Sequence, residues 1–213
     1  MPALLFDLDG TLIHSDPIHI QIFQDMYAQR GRPFNDDIYM SEIHGTHNLT
    51  SFPKLFPGED AQALSDEKEA EFRRRLEGGH SPMPGAEDIL NWAKTTGWKT
   101  AVVTNAPRIN AEHMLKSIGL LNSFDLLIIG DECTQAKPHP TPYLTALDML
   151  NETADNCCFA FEDSPTGIQA ATGAGLFTVG ITSSLSEEEL MSAGAKLCIS
   201  NFTHHKLRSL LNQ

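Results

Sequence analysis

Two aspartates near the start of the chain are the first residues that could do chemistry. Asp7 and Asp9 follow the apolar run Ala3 to Phe6 in "ALLFDLDGTL", and Gly10 closes that run. If the run is a strand, alternation of side chains places both carboxylates on the same face. Two negative charges at one spot are unfavourable unless a cation lies between them or one is protonated. The pair therefore indicates a functional site rather than a purely structural element.

The composition restricts the class of protein to which the chain can belong. With 213 residues, 41% hydrophobic and 20% charged, it fits a globular protein of one domain, with or without a smaller insertion. The net charge of −13, from 15 basic and 28 acidic residues, argues against nucleic acid and anionic membranes as partners. The four cysteines lack metal-type spacing, so we expect buried free thiols.

The hydropathy pattern gives an expectation about location. The chain enters a strand at once, without a basic segment followed by a cleavable apolar one. No stretch approaches the roughly 18 apolar residues that are needed to span a membrane. We therefore expect a cytoplasmic protein with no membrane partner.

The rest of the pattern divides the chain into two parts. Between Leu12 and Pro84 the periodicity is helical, with no candidate strand. From Gly85 onwards helical segments alternate with short apolar runs, which is typical of a parallel sheet covered by helices on both faces. We predict a doubly wound, Rossmann-like α/β fold for residues 1–15 and 81–213, with an all-helical insertion over residues 16–80 after the first strand.

In such a sheet, ligands bind beyond the carboxyl ends of the strands. The ends of the first four predicted strands deliver, in chain order, Asp7 and Asp9, then Thr104 and Asn105, then Lys137, and then Glu162 and Asp163. Carboxylates, a hydroxyl and an ammonium group are the groups that handle phosphate and a hard cation. The sequence therefore predicts one polar site at this edge of the sheet.

Four motifs at these strand ends carry a family resemblance. "DLDGT", "VVTNA", "AKP" and "FEDSPTG" resemble, in that order, the four motifs of the haloacid dehalogenase superfamily. The helical insertion resembles the cap domain of the β-phosphoglucomutase-like branch, which contains many small-molecule phosphatases. The resemblance spans nearly the whole chain and implies Mg²⁺-dependent phosphotransfer through an aspartyl-phosphate.

Within that resemblance, the acidic residues receive roles. Asp7 is the candidate nucleophile, because a carboxylate can attack phosphorus and form an acyl-phosphate that water later removes. Asp9 is the candidate general acid and base, and the resemblance implies that its backbone carbonyl also binds Mg²⁺. Glu162 and Asp163 complete the predicted metal set with these two residues, although they could instead cap the helix that follows.

The transferring phosphoryl group needs donors and a positive charge. Thr104, through its hydroxyl, and Lys137, as a point charge facing the nucleophile, are the further catalytic candidates. The predicted phosphate-binding groups at the same edge are Gly10, Asn105 and Ala106. A turn for the segment after the second strand, and a surface position for the lysine, are the plainer alternatives.

The helical insertion contributes candidates for contact with the substrate. His19 lies where the branch often has a histidine near the entrance of the active site, and Gly45, Thr46 and His47 resemble its substrate-specificity loop. Lys68 matches a position where cap helices of the branch carry a lysine. Packing for the histidine and a surface salt bridge for the lysine stay open as alternatives.

The predicted activity is hydrolysis of a small phosphorylated metabolite, of the sugar phosphate or phosphoglycolate type, by a monomer. One alternative is a phosphomutase, which needs a cationic clamp in the insertion; Asn48 stands where the mutases have an arginine. A phosphate-receiving signalling domain lacks such an insertion. A dehalogenase does not need the second aspartate or the acidic residues of a metal site. A catalytically inactive binding module would have lost one of the two first aspartates.

Overall fold

The computed structural model describes residues 2–154 and 157–211 and divides the chain into two compact units. We call them the α/β unit, residues 1–14 and 79–213, and the helical unit, residues 15–78. The sequence had predicted the insertion over residues 16–80. In the described ranges, no helix combines the length and the apolar character that crossing a membrane requires.

The α/β unit contains a six-stranded sheet in the order β3-β2-β1-β4-β5-β6, and each neighbouring pair is parallel. The strands are β1 (Ala3–Phe6), β2 (Lys99–Thr104), β3 (Leu126–Ile129), β4 (Phe159–Glu162), β5 (Phe177–Ile181) and β6 (Leu197–Ile199). Because β1, β2 and β4 are adjacent, the residues that follow them meet at one edge of the sheet. This arrangement confirms the predicted α/β fold.

The central strand is buried on both faces. All four residues of β1 are inaccessible to solvent, as expected for a strand with helices on both sides. Leu5 pairs in register with Ala101 of β2 and with Ala160 of β4. On the opposite face, the ring of Phe6 stacks on that of Phe161 at 4.9 Å. This apolar packing fixes the positions of the polar residues that follow the strands.

The helical unit contains helices and no strand among its residues, as predicted. Its helices are α1 (Asp16–Gln29), α2 (Asp36–Ile38), α3 (Asn48–Leu55) and α4 (Ala61–Leu76), and a π-helical turn, Tyr39–Ile43, follows α2. The Asp60 side chain caps the first turn of α4 by accepting hydrogen bonds from the amides of Gln62 and Ala63.

The helices of the α/β unit cover the sheet. They are α5 (Ala86–Thr96), α6 (Arg108–Ser117), α7 (Thr141–Leu150), α8 (Pro165–Gly173), α9 (Glu187–Ala193) and α10 (His205–Leu211). One face of the sheet packs on α7 and α8, where Tyr143 is the largest buried side chain and Ala146, Ala170 and Ala171 allow close approach. The Ser164 hydroxyl caps α8 by accepting a hydrogen bond from the amide of Gly167.

Candidate active site

Asp7 lies at the carboxyl end of β1, where the backbone holds it in place. Its amide donates a hydrogen bond to the Phe161 carbonyl at 2.9 Å and so extends the pairing of β1 with β4 by one residue. The side chain is largely buried. Asp7 is therefore a fixed carboxylate at the edge of the sheet, next to the end of β4.

The ammonium group of Lys137 binds two carboxylates. Lys137 Nζ lies 2.6 Å from Asp7 Oδ1, 2.6 Å from Glu162 Oε1 and 2.6 Å from the Val103 carbonyl oxygen. These three acceptors use all three N–H donors of the ammonium. Burial opposes the charged form, but Asp7 and Glu162 hold the pKa of Lys137 above its ordinary value. The lysine is thus a fixed positive charge at the end of β1.

Glu162 is completely buried, and its surroundings fix its position. Glu162 Oε1 also accepts a hydrogen bond from the hydroxyl of Tyr143 at 2.6 Å. Burial and then the Glu162 charge raise the pKa of Tyr143, so the phenol keeps its proton and remains a donor. A Cβ at Gly167 would lie 1.8 Å from Glu162 Oε2, so only glycine fits there. Tyr143, which the sequence analysis missed, is recognisable only after the fold brings α7 beneath the strand end.

Asp163 follows Glu162 and is also buried. Its Oδ1 accepts a hydrogen bond from the hydroxyl of Thr11 at 3.3 Å. Gly10 has a φ of +69°, and a Cβ there would lie 2.1 Å from Asp163 Oδ2. The backbone of the "DGT" turn therefore packs directly on this carboxylate. Thr11 had been part of the first motif but had received no role from the sequence.

Three carboxylates converge at this edge of the sheet. One oxygen atom from each of Asp7, Glu162 and Asp163 lies within 4.8 Å of the other two. The pKa of Asp7 is raised to about 8, first by burial and then by the charges of Glu162 and Asp9, against the opposing effect of Lys137. The cluster does not include the carboxylate of Asp9, which is half-buried in the turn after β1. Such a group of buried oxygens favours a positive ion.

The residues after β2 form a braced loop. Thr104 is buried, and its Oγ1 accepts a hydrogen bond from the Ala106 amide at 3.0 Å. The side chain of Asn105 donates to the Lys137 carbonyl and accepts from the Lys137 amide, each at 3.1 Å. A Cβ at Gly130 would lie 2.2 Å from Asn105 Oδ1. The Asn105 amide thus holds the segment that carries the lysine, a use that the sequence had not predicted.

The helical unit has a second cluster around a buried lysine. Lys68 Nζ donates to Glu69 Oε1 at 2.8 Å and lies 5.5 Å from the centre of the Phe72 ring. His19 stacks on the same ring at 4.2 Å. Burial raises the pKa of Glu69, but Lys68, and then His19 and Asn48, lower it by more. The Glu69 carboxylate is therefore ionised. Phe72 and Glu69 were missed by the sequence analysis and bring together two predicted residues.

The amide of Asn48 is also part of this second cluster. Asn48 Nδ2 donates to Glu69 Oε1 at 2.7 Å and to Ser65 Oγ at 3.1 Å. Both distances are those of ordinary hydrogen bonds. The residue at the predicted clamp position is therefore engaged with the residues of α4.

The segment before α3 has local structural contacts. Gly45 has a φ of +69°, the Thr46 hydroxyl donates to the Ile43 carbonyl at 2.7 Å, and His47 Nδ1 caps α3 by accepting from the Leu49 amide at 3.3 Å. These contacts explain the residue types at the three positions without a ligand.

Comparison with known proteins gives one consistent family. A family model described as haloacid dehalogenase-like hydrolase matches residues 4–181. A phosphorylated carbohydrates phosphatase of Thermotoga maritima is 29% identical over 205 residues, which cover 92% of each chain. A phosphoglycolate phosphatase of Xylella fastidiosa is 34% identical over 82% of this chain and 77% of its own length.

Solved structures agree with this result. The crystal structure of a HAD hydrolase, family IA, variant 3, from Entamoeba histolytica superposes with a TM-score of 0.86 at 27% identity and covers 100% of both chains. The predicted resemblance and the assignment of the chain as an enzyme are thereby confirmed. This chain belongs to the haloacid dehalogenase-like hydrolase family.

Proposed function

We propose that this enzyme is a Mg²⁺-dependent phosphatase that hydrolyses small phosphorylated metabolites, of the sugar phosphate or phosphoglycolate type, through an aspartyl-phosphate. The observation that carries the proposal is the bond of 2.6 Å between Lys137 Nζ and Asp7 Oδ1 inside a buried group of three carboxylates. A fixed carboxylate beside a fixed ammonium group is suited to attack on a phosphate ester. The phosphatase names of two relatives add support.

The donor set fits magnesium. Mg²⁺ prefers hard oxygen ligands and is held by one or two carboxylates together with waters and substrate phosphate. We assign Asp7 and Asp163 as its carboxylate ligands, with the backbone carbonyl of Asp9. Glu162 binds Lys137 and Tyr143 through the same oxygen, so we give it the role of holding the lysine. When bound, the cation would offset the mutual repulsion of the carboxylates and the charge of the phosphoryl group.

In the first step, a carboxylate oxygen of Asp7 attacks phosphorus while the bond from phosphorus to the ester oxygen breaks. Asp9 donates its proton to the departing alkoxide, which leaves as the alcohol. Lys137 and the Thr104 hydroxyl stabilise the negative charge on the phosphoryl oxygens. The contact with Lys137 also fixes the rotamer of Asp7, so the carboxylate is oriented before the substrate arrives.

In the second step, water replaces Asp7 on phosphorus. Asp9, now ionised, takes a proton from the water as the water oxygen attacks. The bond between phosphorus and the Asp7 oxygen breaks, which releases inorganic phosphate and regenerates both carboxyl groups in their starting states. The two steps together consume one water molecule and one phosphate ester.

The cluster in the helical unit favours hydrolysis over mutase chemistry. A mutase must hold a second phosphate group with a strong cation, ideally a bidentate arginine. Here Lys68 is neutralised by Glu69, and the Asn48 amide donates to that carboxylate as well. A lysine whose charge is already balanced is better suited to hydroxyl groups than to a second phosphate, which supports sugar phosphates as substrates.

The test is release of inorganic phosphate from a panel of sugar phosphates, phosphoglycolate, glycerol phosphates and nucleotides, with Mg²⁺ or with excess chelator. We expect release from one of the first two classes that chelator abolishes. No release from any ester would contradict the proposal. Incubation with β-glucose 1-phosphate and a trace of the bisphosphate tests the alternative, because a mutase would form glucose 6-phosphate faster than free phosphate.

A further inference from the structure

Ser183 carries a buried hydroxyl that the mechanism above does not use. It follows β5, so it lies at the same edge of the sheet as Asp7 and Asp163. Ser183 Oγ is buried and has no hydrogen-bond partner within residues 2–154 and 157–211. A buried hydroxyl without a partner costs free energy, and an unseen water or ion is a common reason for one.

The position of the hydroxyl relates it to the acidic cluster. A Cβ built on Gly10 would lie 3.2 Å from Ser183 Oγ and 2.1 Å from Asp163 Oδ2. The hydroxyl and the carboxylate oxygen therefore face the same point above the α-carbon of Gly10. Because this residue is a glycine, no side chain separates them.

The neighbouring hydroxyl groups of the loop have partners of their own. Thr182 Oγ1 donates to the Ile199 carbonyl at 3.4 Å, and Ser184 also has an interaction partner. The loop thus satisfies the polar side chains on both sides of Ser183. The hydroxyl of Ser183 differs from them because it is buried without a hydrogen-bond partner among the described residues.

We propose that Ser183 is a positioning residue of the cation site, whose hydroxyl hydrogen-bonds a water molecule in the hydration shell of the ion held by Asp163. Mg²⁺ usually keeps several of its waters in proteins. Substitution of a residue that hydrogen-bonds a ligand of the metal typically weakens metal binding by 10- to 100-fold. The inference rests on the proposed function, because it requires the cation. It adds a residue from the loop after β5 to those of the four motifs.

The experiment measures metal affinity directly. Metal-free wild-type protein and the variants Ser183→Ala, Ser183→Thr and Ser184→Ala are titrated with Mn²⁺, and the free ion is followed by electron paramagnetic resonance, with Mg²⁺ as competitor. We expect Ser183→Ala to bind about tenfold more weakly. Ser183→Thr, which keeps the hydroxyl, and Ser184→Ala, which controls for changes in the loop, should bind like wild type.

The melting temperature of the metal-free proteins provides the second readout. Ser183→Ala should melt no lower than wild type, because no hydrogen bond within the protein is lost. A clearly lower value, or unchanged Mn²⁺ affinity in Ser183→Ala, would overturn the inference and leave the proposed function intact. If wild type itself binds neither ion, the inference and the metal assignment both fail.

Discussion

Each of the two units buries one lysine against acidic side chains, but the two lysines have different surroundings. Lys137 in the α/β unit donates to three acceptors, two of which are carboxylates, and a third carboxylate lies nearby. Lys68 in the helical unit donates to the single carboxylate of Glu69, at 2.8 Å. The first cluster has an excess of negative charge, whereas in the second the charge of Lys68 is balanced by that of Glu69.

This difference in charge balance suggests that the two clusters have different roles in the reaction. An excess of buried negative charge is costly unless a cation offsets it, so the first cluster is prepared for an ion and for phosphate chemistry. A neutral pair is already satisfied and can select a substrate only through shape and hydrogen bonds. We therefore expect substitutions in the α/β unit to change the rate of reaction and those in the helical unit to change substrate preference.

The largest effect is expected for Asp7→Asn. An amide cannot act as the nucleophile, so kcat should fall by about a thousandfold or more. The fold should persist, because the Asn side-chain oxygen can still accept a hydrogen bond from Lys137 and the substitution adds no charge to the crowded cluster. Phosphate release and melting temperature are the measurements, with the exposed Asp88→Asn as a matched control.

An Asp7→Asn enzyme that retains a few per cent of the wild-type rate would show that another group attacks phosphorus. A collapse of its melting temperature would show instead that the carboxylate is needed for the fold. Asp88→Asn should retain both wild-type activity and stability. Asp9→Asn should also lose most activity, through the steps that transfer protons.

The second largest effect on activity is expected when the cation is removed. Activity should fall to background in excess chelator and return with Mg²⁺, because the carboxylate cluster then regains its counter-charge. Ca²⁺ should restore little activity, since it takes more ligands at longer distances and disturbs the alignment of Asp7 with phosphorus. Full activity in chelator would show that the mechanism does not need the metal. Full activity with Ca²⁺ would show that the reaction does not depend on the ligand number and distances of Mg²⁺.

Much of the first cluster could be predicted because its residues adjoin strands. The apolar runs of the strands are clear in the sequence, and a parallel sheet brings their carboxyl ends together. The residues that end or follow these runs are Asp7, Thr104, Lys137 and Asp163. Tyr143 could not be predicted in this way. It lies on a helix, where a buried aromatic residue usually indicates packing, and only the three-dimensional contact with Glu162 reveals its polar role.

The second cluster was predictable only in part for a related reason. Lys68 and His19 were recognised by resemblance, but the ring of Phe72 that they share and the carboxylate of Glu69 come from tertiary packing of α1 against α4. Helical periodicity identifies which side of a helix is buried, not which polar groups meet there. For the same reason, the sequence could not show that the Asn48 amide is already engaged.

A smaller effect is expected for Tyr143→Phe. Glu162 would lose one of its hydrogen bonds, Lys137 would be held less firmly, and kcat should fall about tenfold. Loss of a buried bond to a carboxylate should also lower stability by about 1–3 kcal/mol. Tyr39→Phe is the matched control, because the Tyr39 hydroxyl donates to Asp16 at 2.8 Å in the helical unit. It should lose stability without the tenfold fall in kcat, and equal falls in both variants would contradict a specific role for Tyr143.

The smallest effect is expected for Glu69→Gln. This change leaves Lys68 without a carboxylate partner, so the helical unit gains a positive charge where the pair had been neutral. For substrates with a second anionic group, KM should fall about fivefold, which corresponds to roughly 1 kcal/mol for a partly screened charge. Glu71→Gln, on the same helix, is the matched control, because Glu71 binds Arg74 and Arg75 at 2.6 and 2.7 Å on a more exposed face. Equal changes in both variants would indicate a general effect of net charge, and an unchanged KM in Glu69→Gln would show that the second cluster does not contact the substrate.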